Sequence, residues 1–208
     1  MLQKQELPAH TQQAQMAKMM HKSRHILAPI RHHARHTGAT LVEFAVVLEP
    51  DEALVSARRA FFAGMNALGD AISSHCPPER EVGFDWPDAV RFDGGLLGGA
   101  RLGWPTDCAE NEIPAWLVFG VILRAADMAH VEEVPAASGV ALLSEGFEMI
   151  DTNAIIESFA RHLMTGFDQW RERRFEAVAR DYLARLAVGK AGERRGIDVN
   201  GDLLVRTA

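Results

Sequence analysis

The sequence predicts an α+β fold, in which a mixed, mostly antiparallel sheet packs with helices and a small β hairpin follows at the C-terminus. Three observations support this class. Apolar and β-branched runs typical of strands, separated by turn residues, recur between residues 40 and 125. Residues 152–186 carry apolar side chains at helical spacing. The last residues alternate around Asn200-Gly201, a pair that favours a two-residue hairpin turn.

The first elements are a buried strand over residues 40–48 and a helix that follows it. The strand is β-branched and aromatic, as "TLVEFAVVL". The helix should begin at Pro50, because proline suits a first helical position and the acids after it favour the positive end of the helix dipole. Its apolar stripe consists of Leu54, Phe61, Met65, Leu68 and Ile72.

The middle of the chain predicts a hairpin followed by a long apolar strand. Residues 81–105 read "EVGFDWPDAVRFDGGLLGGARLGWP", where "VGF" is typical of a short strand and Asp93-Gly94 of a tight turn. The apolar strand covers residues 116–125, and we expect that it could pair across a homodimer. Two helices then follow, with apolar stripes at Ile156, Phe159, Leu163, Phe167 and Trp170, and at Phe175, Val178, Tyr182 and Leu186.

The same glycine-rich stretch contains the candidate binding residues. Trp86-Pro87 offers a flat apolar wall, and Asp85 and Asp88 beside it can accept hydrogen bonds. Gly98-Gly99 lies inside a strand, where glycine marks either a β-bulge or the close approach of a ligand. The spacing alone favours the bulge, with the aspartates capping turns.

Charge and composition exclude several function classes. Residues 1–40 hold six Lys or Arg and one acid, for +5, so the whole-chain charge of −6 leaves −11 on the rest. An acidic body argues against nucleic acid as a partner. The sequence has no apolar run long enough for a membrane span and no signal-peptide stretch, and its two cysteines match no disulfide or metal motif. We therefore expect a cytoplasmic protein with no membrane partner.

Three regions follow from these patterns. Residues 1–38 are predicted to be a flexible, basic, His-rich arm, residues 39–187 an α+β domain, and residues 188–208 a C-terminal β segment. Six of the nine histidines lie in the arm. No acid or cysteine joins them, so we predict no metal site.

Two segments resemble biotin protein ligases. "FDWPDAVRFDGGLLGGARL" is similar to the family segment that usually reads Lys-Trp-Pro-Asn-Asp and continues into a hairpin and a glycine strand along the biotin. "KAGERRGIDVNGDLLV" resembles the family's C-terminal β domain. The chain therefore resembles the biotin/lipoate A/B protein ligase family over residues 40–130 and 189–205. The resemblance implies that family's fold and a substrate site at Asp85, Trp86, Pro87, Asp88, Gly98, Gly99 and Arg101.

The resemblance also implies a reaction. In the family, the carboxylate of biotin, or of a lipoate- or octanoyl-like acid, attacks the α-phosphate of ATP to form an acyl-adenylate. A lysine amine of an acceptor domain then takes the acyl group. ATP and Mg²⁺ are thus the implied cofactors, biotin or lipoate the implied substrate, and a lysine-bearing domain the implied partner. Cations must surround the negative charge that develops.

The sequence departs from the family at several positions that affect this chemistry. Asp85 stands at the family's lysine, Asp88-Ala89 replaces its Asn-Asp pair, and Leu123 or Arg124 stands at its ribose-side Asn. The family's Gly-Arg-rich loop has no counterpart, because Gly38 is the only glycine before Gly64. We expect that this loop is either lost or encoded upstream of Met1.

Three explanations of Asp85 remain open. A salt bridge to Arg101 or Arg91 neutralises it, a metal lies between Asp85 and Asp88, or adenylation is lost; the salt bridge is favoured because a buried unpaired carboxylate is costly. The functional prediction is a ligase-like enzyme, with a non-catalytic binding or regulatory protein as the alternative. An acyltransferase working through Cys108 is disfavoured, because neighbouring acids raise the pKa of a thiol.

Overall fold

The computed structural model describes residues 27–28, 39–77, 79–127, 139–145, 147 and 152–207. Within these ranges, helices α1 to α4 are Leu54–Ala57, Ala60–Ser73, Thr152–Arg173 and Phe175–Arg185, and a 3₁₀ turn lies at Leu142–Glu145. Strands β1 to β8 are Leu27–Ala28, Ala39–Leu48, Val82–Asp85, Ala89–Phe92, Gly95–Gly103, Leu117–Asp127, Arg194–Ile197 and Leu203–Arg206. The predicted α+β class is confirmed.

Strands β1 to β6 form one sheet in the order β1-β2-β6-β5-β4-β3, and β7 and β8 form a separate C-terminal hairpin. Neighbouring strands of the described sheet are antiparallel. Strand β6 pairs with β2 on one side and with β5 on the other. Because both of its edges are occupied, β6 cannot pair with the same strand of a second copy, contrary to expectation; a homodimer formed in another way stays a prediction.

Helices α2, α3 and α4 cover one face of the sheet. The ring of Phe119 on β6 stacks on that of Phe159 on α3, with centroids 5.8 Å apart, and Phe44 on β2 meets the same Phe159 ring edge-on at 5.1 Å. These side chains are almost completely buried, so they contribute to the main driving force for folding. Gly64 permits the close approach of α2, because a Cβ at this position would overlap the Phe119 ring.

The predicted helical stripes face this core. Most of their members are buried: Leu54, Phe61, Met65, Leu68, Ile72, Ile156, Phe159, Leu163, Phe175, Val178, Tyr182 and Leu186. Phe167 and Trp170 pack against the same core and are partly buried. Helical spacing therefore predicted the buried face of each helix correctly.

The predicted first helix begins later than expected and is divided into two helices, α1 and α2, at Arg58 and Arg59. Residues 50–53 are not helical, and α1 begins at Leu54. The backbone amides of Leu54 and Val55 donate to the carbonyls of Glu112 and Glu110, at 2.8 and 3.0 Å. A distant loop therefore satisfies the first amides of the helix, which Pro50 and the acids after it were expected to begin.

The two predicted turns differ in outcome. Asp93 and Gly94 have φ angles of 46° and 79°, as expected for the tight turn that joins β4 to β5. The C-terminal turn is longer than the predicted two-residue turn, because Asp198 N donates to Asp202 O across residues 199–201. The Asp198 carboxylate accepts the amides of Asn200 and Asp202, both at 2.8 Å, and so stabilises the longer turn.

The predicted arm at residues 1–38 and its histidines lie outside the described residues, except that Leu27–Ala28 pairs with β2. Strand β2 begins at Ala39, close to the predicted start. Among the described residues, the helices are all too short or too polar to span a bilayer. The boundary between residues 187 and 188 stays a prediction.

Candidate functional site

The face of the sheet opposite the helices brings together several predicted site residues. Residues paired across an antiparallel ladder share a face, because side chains alternate along each strand. The register pairs Asp85 with Ala89, Ala89 with Gly99, and Gly99 with Ile122. Arg101 pairs with a glycine of β6 on the same face. We call this surface the open face and define it by Asp85, Arg91, Gly99, Arg101, Gly120 and Ile122.

Asp85 is paired with Arg91 of the neighbouring strand. Arg91 Nε donates to Asp85 Oδ2 at 2.5 Å, and Arg91 Nη1 donates to the Gly94 carbonyl at 2.8 Å. The Arg91 and Asp85 side chains are 33% and 34% exposed. The favoured salt bridge is therefore confirmed, with Arg91 as the partner of Asp85 and not Arg101.

Trp86 and Pro87 contact the helix layer. The Trp86 ring stacks on Phe62 at 5.9 Å and meets Tyr182 edge-on at 6.0 Å between centroids. Tyr182 Oη donates to the Pro87 carbonyl at 2.7 Å, and the Trp86–Pro87 peptide bond is cis. The pair thus anchors the β3–β4 turn to α2 and α4. Contact between Trp86-Pro87 and a ligand stays a prediction.

The backbone around Gly98 and Gly99 explains both glycines. A Cβ on Gly98 would overlap the carbonyl oxygen of Ile122, and a Cβ on Gly99 would overlap that of Asp88. The Asp88 carbonyl also accepts the Ala100 amide at 3.0 Å. The register of β4 against β5 shifts beside these residues, as a β-bulge requires. Contact of Gly98, Gly99 or Asp88 with a ligand stays a prediction.

Free space on the open face lies beside Arg101. Its cross-strand partner is Gly120, and apart from the neighbours of Gly120 in the chain, no atom of the described residues lies within 4 Å of the position that a Cβ there would take. Ile122, the next residue of β6 on this face, is 50% exposed although it is apolar. Within the described ranges, the exposed Arg101 side chain has no hydrogen-bond or ion-pair partner.

Tyr182 is a neighbour of the site that was not among the predicted site residues. Burial raises the pKa of Tyr182, and the negative charges of Asp88 and Asp85 raise it further. Of the two residues at the family's ribose-side position, Leu123 is fully buried in the core, and Arg124 lies on the open face, two residues along β6 from Ile122. Because side chains alternate between the two faces of a strand, "LVFGVILRA" could have placed Leu123 and Arg124 on opposite faces of the sheet. Which of these faces is open could not be told from the sequence.

Cys108 is poorly suited to act as a nucleophile. Partial burial raises the pKa of its thiol, and Glu112, Asp107 and Glu110 raise it further. Less thiolate is then present at neutral pH, and the thiolate is the reactive form. The neighbouring acids therefore raise the pKa of the Cys108 thiol, as the sequence predicted.

A separate cavity of about 400 Å³ lies between α2, α3 and α4. Its lining includes Asp70, His162 and Arg185, and Arg185 Nη2 donates to Asp70 Oδ1 at 2.5 Å. None of the predicted site residues lines this cavity. It lies in the helix layer, so the sheet separates it from the open face.

The comparisons identify the family. A family model described as "Biotin/lipoate A/B protein ligase family" matches residues 2–184. The chain belongs to this family. It is 26% identical over 178 residues to a biotin–[acetyl-CoA-carboxylase] ligase of Paracoccus denitrificans. The aligned region covers 77% of this chain and 72% of that protein.

Solved structures agree with this assignment. A biotin protein ligase-like protein of unknown function from a Silicibacter species is 26% identical, with a TM-score of 0.67 over 80% of this chain and 74% of that one. The biotin protein ligase of Aquifex aeolicus is 14% identical, with a TM-score of 0.62 over 93% of this chain and 86% of that one. The second likeness shows the fold alone, and the predicted ligase-like fold is confirmed.

The residues described here do not fit a protein-bound Mg²⁺ ion. The Asp85 carboxylate is held by Arg91, and within the described ranges no three His, Cys, Asp or Glu side chains are grouped as a metal site requires. An adenylate phosphate beside Asp85 would face a carboxylate where this family usually has a lysine. The β3 end of the open face thus lacks a group of three metal ligands and a free cation among the described residues.

Proposed function

We propose that this protein binds a small carboxylic acid of the biotin or lipoate class on the open face of its sheet. The observation that carries the proposal is the free space over Gly120 beside the half-exposed Ile122, on the face that the helices leave uncovered. Small-molecule sites are mostly apolar and contain a few placed polar groups. An apolar acid would remove Ile122 from water and keep its carboxylate among the charged residues of the open face.

The second candidate is the full ligase reaction. The acid would be joined through an acyl-adenylate to a lysine of an acceptor domain, with ATP and Mg²⁺. The similarity to the Paracoccus ligase favours it, and the Aquifex ligase has been solved with biotin and ATP. The Asp85–Arg91 pair weighs against it, because Arg91 offsets the carboxylate without leaving a cation for a phosphate. We therefore place binding, in a regulatory or carrier role in the cytoplasm, before catalysis.

Calorimetry tests the binding proposal. Biotin, lipoate and octanoate are titrated separately into the protein without ATP, and saturable binding of at least one acid is expected. If none binds with a Kd below about 1 mM, which corresponds to about −4 kcal/mol, the proposal is wrong. Pyrophosphate exchange with ATP, Mg²⁺ and the same acids then separates the candidates, since exchange supports the ligase and its absence supports binding alone.

A pair of variants locates the binding surface. Ile122→Glu adds a negative charge to the open face at a half-exposed position and should abolish acid binding without unfolding the protein. Leu204→Glu makes the same change at a 55% exposed position of the C-terminal hairpin and should leave binding intact. Equal losses in both variants would contradict the placement on the open face.

A further inference from the structure

We propose that Arg101 holds the carboxylate of the bound acid, so that the positive charge of the site comes from the middle of β5 and not from the end of β3. This inference rests on the proposed binding of a small acid to the open face. It names the group that recognises the acid and predicts a preference for the free acid over its neutral amide.

The arginines of the open face differ in what they offer a carboxylate, and the face also carries Glu43, which pairs with Ile122. Asp85 and Arg91 neutralise each other, and Arg91 also donates to the Gly94 carbonyl. Two of the five N–H donors of Arg91 are therefore directed at protein acceptors, and its charge is offset by Asp85. Arg101 is exposed on the same face and, within the ranges described, has none of its donors engaged. A guanidinium with free donors can bind a carboxylate through two parallel hydrogen bonds.

The backbone beside Arg101 leaves room for such a carboxylate. Gly120 lies directly across the ladder, and Gly103 lies two residues further along β5 on the same face. Within the part of the chain that the structure describes, a Cβ at either glycine would have no other residue within 4 Å beyond its chain neighbours. Neighbouring strands are about 4.8 Å apart, so a carboxylate on the guanidinium would place its first carbons over β6. Ile122 would then contact the apolar chain of the acid.

The remaining arginine of this face is less suitable. Arg124 lies further along β6, and its guanidinium is packed so close to Gly139 that a Cβ there would overlap it. Arg124 also has an interaction partner within the protein. It is therefore held in place by the chain, whereas Arg101 extends beside the free space over Gly120.

The test compares each acid with its primary amide: biotin with biotinamide, lipoate with lipoamide, and octanoate with octanamide. Wild-type protein should bind the acid about tenfold or more tightly than the amide, because charge-assisted hydrogen bonds are lost in the amide. Arg101→Gln should weaken acid binding by a similar factor and leave amide binding unchanged. Arg101→Lys should retain part of the preference for the acid, because lysine keeps the charge but cannot form the bidentate hydrogen bonds of a guanidinium.

Two controls make the outcome decisive. Arg161→Gln removes the same charge from an exposed position of α3, in the helix layer, and should change neither affinity. Arg91→Gln tests the β3 end of the face. An unchanged preference for the acid in Arg101→Gln, a loss of preference only in Arg91→Gln, or an equal loss of acid and amide binding would each overturn the assignment to Arg101. Failure of the wild-type protein to bind any acid would instead overturn the proposed function.

Discussion

Replacing Asp85 with lysine restores the residue type that this family usually has there and changes the local charge by two units. Strands β3 and β5 are separated by β4, so residue 85 and a carboxylate on Arg101 lie about 10 Å apart at ordinary strand spacing. In water, two units of charge at about 10 Å contribute about 0.8 kcal/mol. The expected gain in affinity is therefore about fourfold at low salt.

A direct contact would give a different result. If the acid lay against residue 85, the new lysine would form a charge-assisted hydrogen bond worth about 1.5–3 kcal/mol, or about 10- to 150-fold in Kd. Salt distinguishes the two cases. A through-solvent effect at about 10 Å is largely screened at about 0.15 M salt, where the Debye length is about 8 Å, whereas a desolvated contact is screened much less.

The assay is calorimetric Kd for the acid that binds wild-type protein, at about 0.02 and about 0.15 M salt. Asp85→Lys loses its ion pair and places lysine beside Arg91, which should cost about 1 kcal/mol of stability, so the melting temperature is measured in parallel. Glu157→Lys makes the same charge change at an exposed position of α3 and should have a smaller effect. A gain above tenfold that persists at the higher salt would refute the placement of the carboxylate on β5.

Three further predictions concern stability and reactivity. Gly64→Ala should lower the free energy of unfolding by about 1–3 kcal/mol, because its Cβ would overlap the Phe119 ring. Gly166→Ala has room for a Cβ and should raise the free energy of unfolding by about 0.5–1 kcal/mol. Urea unfolding measures both changes. Tyr182 is the single tyrosine, and its raised pKa means that folded protein keeps the phenol proton after the unfolded chain releases it. Stability should thus fall above about pH 10, a loss absent in Tyr182→Phe, and absorbance at about 295 nm should show no ionisation there. Cys108 should react more slowly with iodoacetamide at about pH 8 than glutathione does; equal rates would contradict its raised pKa.

The elements that could be predicted from the sequence are those determined by local chemistry. Strand β2 is an uninterrupted β-branched and aromatic run, and Asp93-Gly94 adopts positive φ angles that few other pairs tolerate. The start of α1 was missed because its amides bind carbonyls more than fifty residues away, at Glu110 and Glu112. A partner at that distance leaves no local pattern around Pro50.

The site was predicted less completely, because it depends on register. The sequence leaves both Arg91 and Arg101 as possible partners of Asp85, and the pairing of β3 with β4 selects Arg91. The bulge beside Gly98 then decides which face each later residue of β5 occupies. A one-residue shift would send Arg101 into the core. Gly98-Gly99 favoured a bulge in this strand, but the glycines alone do not show at which residue the register shifts.

The substitution at Asp85 has to be considered together with its partner. An aspartate alone at this half-exposed position would repel any anion on the open face. The ion pair with Arg91 removes that repulsion, and Asp85 in turn neutralises the charge of Arg91. Asp85 and Arg91 therefore act as one neutral unit, and adding a lysine at residue 85 would set two cations against each other. An anion on this face would gain little from the β3–β4 end. Of the other two arginines on this face, Arg124 is engaged within the protein and Arg101 is not, among the described residues. The charge reversal at Asp85 therefore shifts the expected ligand position to β5 and is compatible with acid binding.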